Sequence, residues 1–175
     1  MSLSDQLAAA ELTSADMDWL RSLPPRLEPT QGVVAVHGSP RGDLEYFLET
    51  VTPTGARQAT AAEITERLGP DRTAAPRLRW HSHIQRMVQI QQGPLIVNPG
   101  SVGWPACADD LPYPHVMESG TPHARYAVAT WDGQSGRADL KALTYDWEQA
   151  ARIAESNGRP DVVYSLRTGL APRTD

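Results

Sequence analysis

Three histidines stand where imidazole nitrogens could hold a metal ion. His37 closes the β-branched run Val33–Val36 and opens Gly38-Ser39-Pro40, while His81 and His83 flank Ser82 directly after Trp80. Neutral imidazole is the commonest transition-metal ligand once thiolate is set aside. Residues two apart in an extended segment face the same side. His81 and His83 therefore share one site if the segment is extended, or splay towards two neighbouring ions if it ends a strand. His37, on a second strand end, offers a third imidazole, and three imidazoles are enough to hold one zinc. Two-ion hydrolytic centres also need carboxylates, one of which bridges the ions.

The other chemistry-bearing residues read more plainly. Asn98-Pro99-Gly100-Ser101, taken alone, is a turn. His115 and His123 lie in a Pro-rich stretch and are expected in solvent. Cys107 reads as incidental rather than nucleophilic, and Trp147 as a core residue.

The elements that must position the histidines follow from pattern. An alanine-rich helix is expected from Ser4 to about Leu12, and a second from a Thr13 N-cap with Asp16 at the capping-box position, stopped by Pro24-Pro25. Arg26–Thr30 is a short strand and Val33–Val36 a strand buried on both faces. Gly42–Thr50 is expected to be helical and Thr52–Arg57 a loop. Thr60-Ala61-Ala62-Glu63 opens a further helix that Gly69-Pro70 ends. A buried strand ought to lead into His81, yet Asp71–Trp80 carries Arg72, Pro76, Arg77 and Arg79, which are poor interior strand residues. Arg86–Gln91 and Leu95–Val97 read as a hairpin across Gln92-Gly93-Pro94. Cys107–Thr121 is expected to be a loop, Tyr126–Trp131 and Ala138–Leu143 two strands, and Trp147–Ser156 and Asp161–Arg167 two helices. The sum is a single mixed α and β domain over residues 1–175.

Composition excludes several classes. The 175-residue chain carries a formal charge of −5, without the basic excess of a general nucleic-acid binder. Cys107 is the only cysteine, so neither an intrachain disulfide nor a cysteine zinc knuckle can form. No apolar run approaches the length of a membrane-spanning helix, and Met-Ser-Leu-Ser-Asp-Gln lacks the basic and apolar regions of a secretory signal. A cytoplasmic location without membrane or nucleic-acid partners is the expectation.

Together, three segments resemble a known family. Val36-His37-Gly38-Ser39-Pro40-Arg41 is similar to the strand of the calcineurin-like metallophosphoesterases that ends in a metal-ligand histidine. His81-Ser82-His83 resembles their Gly-His-Thr/Ser-His motif, and Val97-Asn98-Pro99-Gly100-Ser101-Val102-Gly103 resembles their Asn-Pro-Gly-Ser-Val-Gly loop. The likeness is to the C-terminal part of the family, in particular its small bacterial predicted-phosphoesterase branch. The resemblance runs from about Ser2 to Gly169. It implies a four-layer α/β/β/α sandwich, incomplete here because the N-terminal strands are missing. It implies a dinuclear manganese, iron or zinc centre, with His37 and His81 on one ion and His83 on the other. A hydroxide bridging the ions would attack phosphorus in line with the leaving alkoxide. Arg41, Asn98 and Ser101 would lie near the substrate phosphate. The substrate would be a phosphomonoester, a phosphodiester, a cyclic nucleotide or a phosphoprotein.

Two departures bear on activity. The family's Asp-x-His, Gly-Asp and Gly-Asn-His motifs, which supply the other ligands, the bridging carboxylate and the leaving-group histidine, are absent. The glycine before the histidine pair is Trp80, and the segment before it is rich in Pro and Arg, as a local frameshift over Asp71–Trp80 would produce. The chain is thus expected to be an inactive or incomplete metal-dependent phosphoesterase. The alternatives are a non-catalytic interaction module that keeps the second half of the fold, with an oligomer or partner covering its exposed sheet, and a mononuclear protein binding metal through His37, His81 and His83.

Overall fold

The computed structural model describes residues 3–70, 73 and 75–173. Two short helices lead, α1 (Leu3–Glu11) and α2 (Ser14–Ser22), and neither buries a side chain. Thr13 caps α2: its hydroxyl accepts the Asp16 N–H while the Asp16 carboxylate accepts the Thr13 N–H. Two amides that lack helical partners are thereby satisfied. β1 (Arg26–Thr30) turns back into β2 (Val33–Val36) as an antiparallel hairpin. The outer strand β1 is exposed throughout, whereas Val33, Val34 and Val36 are buried.

A loop leads from β2 to the hairpin of β3 (Glu49–Thr52) and β4 (Gly55–Gln58), and the chain then enters α3 (Ala61–Leu68). The Thr60/Glu63 capping box starts α3 and Gly69 ends it. β5 (Arg77–Leu78), β6 (Arg86–Gln89) and β7 (Leu95–Asn98) complete a five-stranded sheet in the order β1-β2-β5-β7-β6. β2, β5 and β7 are parallel, with Arg77 between Val34 and Ile96, and β6 closes the far edge antiparallel. His37 and His81 follow the C-terminal ends of β2 and β5. Parallel pairing brings those two ends to the same side of the sheet, although they lie 44 residues apart in sequence.

One face of the sheet buries Ile96 with Phe47, Leu48, Ala59, Ile64, Leu68 and Ile90. Alternation turns Leu95 and Val97 the other way. β8 (Ala106–Asp109) and β9 (His115–Glu118) form a hairpin, and β10 (Ala124–Trp131) and β11 (Gly136–Leu143) form a longer antiparallel ribbon that packs on β7. The Gln85 amide ties that ribbon down, donating to the carbonyls of Tyr126 at 3.0 Å and Lys141 at 2.9 Å. α4 (Trp147–Ser156) and α5 (Pro160–Thr168) bury Ala151, Ala154, Val163 and Leu166 against each other.

The mixed α and β class is as expected, and three local expectations are corrected. Gly42–Thr50 is not helical. Phe47 and Leu48 enter the core side by side, and Arg67 takes the Phe47 and Glu49 carbonyls that a helix would use internally. Thr52–Arg57 belongs largely to the β3–β4 hairpin, with its turn between Thr52 and Gly55. The stretch 107–121 is not a loop throughout, because Cys107 pairs with Met117 and Ala108 with Val116, leaving only 110–114 as the turn.

The Pro- and Arg-rich approach to His81 does form a strand in its described part. β5 is only two residues long, and its arginines are buried with partners. Arg77 donates to the Ala75 carbonyl at 2.7 Å and to Thr73 Oγ1 at 2.6 Å, and Arg79 pairs with Glu49 at 3.1 Å. Asp71, Arg72 and Ala74 lie outside the described residues.

Candidate metal centre

The site begins with the backbone that joins two strand ends. The His37 carbonyl accepts the N–H of Trp80 at 3.1 Å and of His81 at 3.0 Å. Beyond His37 the chain folds back tightly, with Ser39 and Gly42 exchanging backbone hydrogen bonds of 3.0 and 3.2 Å. Only glycine fits at 38, since a Cβ there would sit 2.3 Å from the Asp43 carbonyl oxygen.

This frame sets His37 Nε2 3.2 Å from His81 Nδ1, with ring centroids 5.0 Å apart. The Tyr46 ring stacks on His81 at 4.6 Å, and His81 also hydrogen-bonds the backbone at Leu44. Burial first, then the neighbouring His37, Arg79 and His83, push the His81 imidazole down to about 4. The ring is therefore neutral at physiological pH, the form that can ligate.

His83 does not share that position. The chain turns at His81-Ser82, and His83 takes a left-handed φ of 58°, a conformation uncommon outside glycine. Its Nδ1 lies 3.0 Å from the Trp104 carbonyl. A carbonyl only accepts, so Nδ1 carries the hydrogen and Nε2 keeps its lone pair. Burial lowers the His83 pKa, and the Trp104 contact opposes that shift. His81 and His83 both line a cleft of ≈ 610 Å³ together with Tyr46, Trp104, Cys107 and Asp109.

A buried polar cluster supports the turn. Arg79, fully buried, donates to Glu49 Oε2 at 3.1 Å and to Ser82 Oγ at 3.2 Å. Asn98, also fully buried, donates to the same Ser82 hydroxyl at 2.9 Å and accepts the Gly100 N–H at 3.0 Å. Ser101 Oγ accepts the Trp104 N–H at 2.9 Å. Asn98 and Ser101 thus brace the loop that presents Trp104 to His83. Gly100 sits at φ 89° with Arg125 against it, so the loop requires glycine there as well.

Arg41 is committed elsewhere: its guanidinium is held by Glu45 and, at 3.1 Å, by Glu66. Trp80 keeps its N–H on the His37 carbonyl while its side chain, 39% exposed, lies in a hollow shared with Leu23, Pro25, Leu27 and His37. His115 corrects the expectation of a solvated ring. It is 6% exposed, with Nδ1 2.8 Å from the Tyr113 carbonyl and Nε2 3.0 Å from the Tyr46 hydroxyl. His123 is half-buried beside Trp147. Burial pushes the Cys107 thiol up to about 11, which leaves little nucleophilic thiolate. Sequence reasoning missed Tyr46, His115 and the Glu49–Arg79 pair. A buried arginine two residues before His81 was the available signal, because such a charge requires a partner.

The donor set fits one ion better than two. Two imidazole nitrogens bound to one tetrahedral zinc lie about 3.3 Å apart, given Zn–N bonds of about 2.0–2.1 Å. The His37–His81 separation is 3.2 Å. Among the described residues, no group of three or more His, Cys, Asp or Glu side chains converges as an ion's ligands would.

The sequence matches no protein-family profile and no curated protein. Solved structures do match. A metallophosphoesterase from Sphaerobacter thermophilus superposes with a TM-score of 0.64 at 21% identity, over 97% of this chain and 70% of its own. The fold is that of a metallophosphoesterase. A hypothetical protein from Pyrococcus horikoshii OT3 superposes with a TM-score of 0.61 at 17% identity, over 91% of this chain and 56% of its own. At these identities the likeness is one of fold, and the metallophosphoesterase architecture accounts for the mixed sheet and its flanking helices. Among the described residues, no helix is long and apolar enough to cross a membrane.

Proposed function

We propose that this chain supplies the imidazole side of a metal-dependent phosphoesterase site, with His37 and His81 as ligands of one divalent ion. The observation that carries the reading is the 3.2 Å separation of His37 Nε2 and His81 Nδ1, on strand ends that the sheet forces together. In the absence of metal one ring donates to the other. With metal, both lone pairs turn to the ion, and His37 holds its hydrogen on Nδ1 instead. His83, with Nδ1 engaged by the Trp104 carbonyl, keeps the Nε2 lone pair for a second ion and lines the cleft. A bound ion would neutralise phosphoryl oxygens and lower the pKa of bound water.

Among the described residues, no group of three or more His, Cys, Asp or Glu side chains is assembled to hold an ion, although Asp109 lines the same cleft as His81 and His83. Read this way, the chain binds one manganese, iron or zinc ion and sustains little or no hydrolysis of a phosphoester. The test is a zinc titration against a chromophoric chelator, with hydrolysis of bis(p-nitrophenyl) phosphate followed alongside. One zinc per chain with background hydrolysis supports the reading. Absence of zinc binding, or metal-dependent turnover, contradicts it.

A second reading is an interaction module covered by another copy of the chain. It is favoured by α1, α2 and β1, which bury nothing and expose Leu7, Trp19, Leu20 and Leu27. Sedimentation as a monomer at all concentrations would count against it.

A further inference from the structure

We infer that Tyr46 is the positioning residue that sets the His81 ring, and that His115 anchors Tyr46 for this purpose; the inference rests on the metal-binding reading above. The three residues come from separate parts of the chain. Tyr46 lies in the loop between β2 and β3, His81 in the turn after β5, and His115 at the start of β9. The Tyr46 and His81 rings are stacked, with centroids 4.6 Å apart and planes 24° from parallel. The Tyr46 and His115 rings meet edge to face at 5.4 Å and 89°. Both are favoured arrangements for aromatic pairs.

Hydrogen bonding fixes which atoms hold Tyr46. His115 Nδ1 lies 2.8 Å from the Tyr113 carbonyl, which can only accept, so Nδ1 carries the hydrogen. In the neutral ring, His115 Nε2 is then an acceptor, and the Tyr46 hydroxyl at 3.0 Å donates to it. His115 is buried and cannot exchange this contact for water. Tyr46 is therefore held at its hydroxyl end while its ring face lies on His81.

Packing alone does not account for Tyr46. The adjacent Phe47 and Leu48 fill the core, whereas Tyr46 is half-buried and lines the cleft beside His81 and His83. Without the stack, one face of His81 would open into that cleft and the ring could rotate about χ2, carrying Nδ1 away from His37. Groups that orient a metal-ligating histidine typically change metal affinity about 10- to 100-fold when removed.

Two variants separate the ring from the hydroxyl. Y46F keeps the ring and loses the tether, and Y46L loses both. Two measurements are made on each: His81 ring-proton shifts and nuclear Overhauser contacts in metal-free protein by NMR, and zinc affinity by chelator competition. In Y46L the upfield ring-current shift on His81 disappears and zinc affinity falls about 10- to 100-fold. In Y46F, which frees the ring from His115, the ring-current shift is reduced and affinity falls about fivefold, the scale of one lost hydrogen bond. The inference is overturned if Y46L leaves zinc affinity unchanged, and the anchoring role of His115 is overturned if Y46F leaves both the His81 shifts and the affinity unchanged. Should the unaltered protein bind no zinc, the metal reading falls. The metal-free spectra then decide the positioning role alone: loss of the His37–His81 ring-to-ring nuclear Overhauser contact in Y46L supports it, and persistence of that contact in Y46L overturns it.

Discussion

Replacing Glu49 with glutamine removes the charge that compensates Arg79 beneath the histidine turn. The Glu49 side chain is 4% exposed and that of Arg79 is fully buried, with 3.1 Å between Oε2 and Nη1. Burial first, with the neighbouring Arg67 charge adding to it, pulls the Arg79 pKa below its ordinary value, but a guanidinium still cannot shed its proton at neutral pH. The variant must therefore bury an uncompensated cation. Removing one partner of a buried pair destabilises by about 3–5 kcal/mol. Arg86 lies 3.6 Å from Glu49 Oε1 and loses a counter-charge too, which places the loss towards the upper end.

With a urea slope of about 2 kcal/mol/M, the midpoint followed by circular dichroism falls by about 1.5–2.5 M. A double change, Glu49→Met with Arg79→Met, removes both charges at similar volume. It is expected to recover most of the loss, because apolar replacement of a buried pair is commonly neutral or stabilising. Ser82 then loses one donor but keeps the one from Asn98. A loss below about 1 kcal/mol in Glu49→Gln, as for an exposed pair, would refute the reasoning. So would a double variant less stable than the single one.

Protonation of His81 supplies a pH prediction: its folded pKa of about 4 lies below the ordinary 6.5, so the unfolded chain takes up the proton first. The His81 contribution to stability is thus lost as pH falls from about 6.5 to about 4 and changes no further below that, and an NMR titration placing the His81 midpoint near 6.5 would disprove it. Gly38→Ala puts a methyl 2.3 Å from the Asp43 carbonyl and should reduce stability by roughly 2 kcal/mol or more in thermal melts while abolishing zinc binding. Arg41→Ala breaks only exposed ion pairs with Glu45 and Glu66, so the melting midpoint and the binding of inorganic phosphate should both stay close to those of the unaltered protein.

Local signals in the sequence carried well wherever they were self-contained. The Thr13 and Thr60 capping boxes, the buried Val33–Val36 strand and the Gly69 helix end all depend on neighbours within a few residues. The segments that misled depend on distant partners. Gly42–Thr50 has helical composition, but Phe47 and Leu48 follow the core under α3, and Glu49 follows a buried arginine thirty residues on. Arg77 and Arg79 looked wrong for an interior strand because their partners, in the 73–76 turn and on β3, cannot be seen from the strand itself. At the candidate site, the residue types His37, His81 and His83 were visible. Their grouping was not, since it depends on parallel pairing of β2 with β5 and on the left-handed turn at His83.

The most direct test of the metal site is anomalous scattering at the zinc edge from crystals of the protein soaked in zinc. The expected result is a single peak about 2.0 Å from both His37 Nε2 and His81 Nδ1. A peak on His83 instead, or none at either histidine, would contradict it.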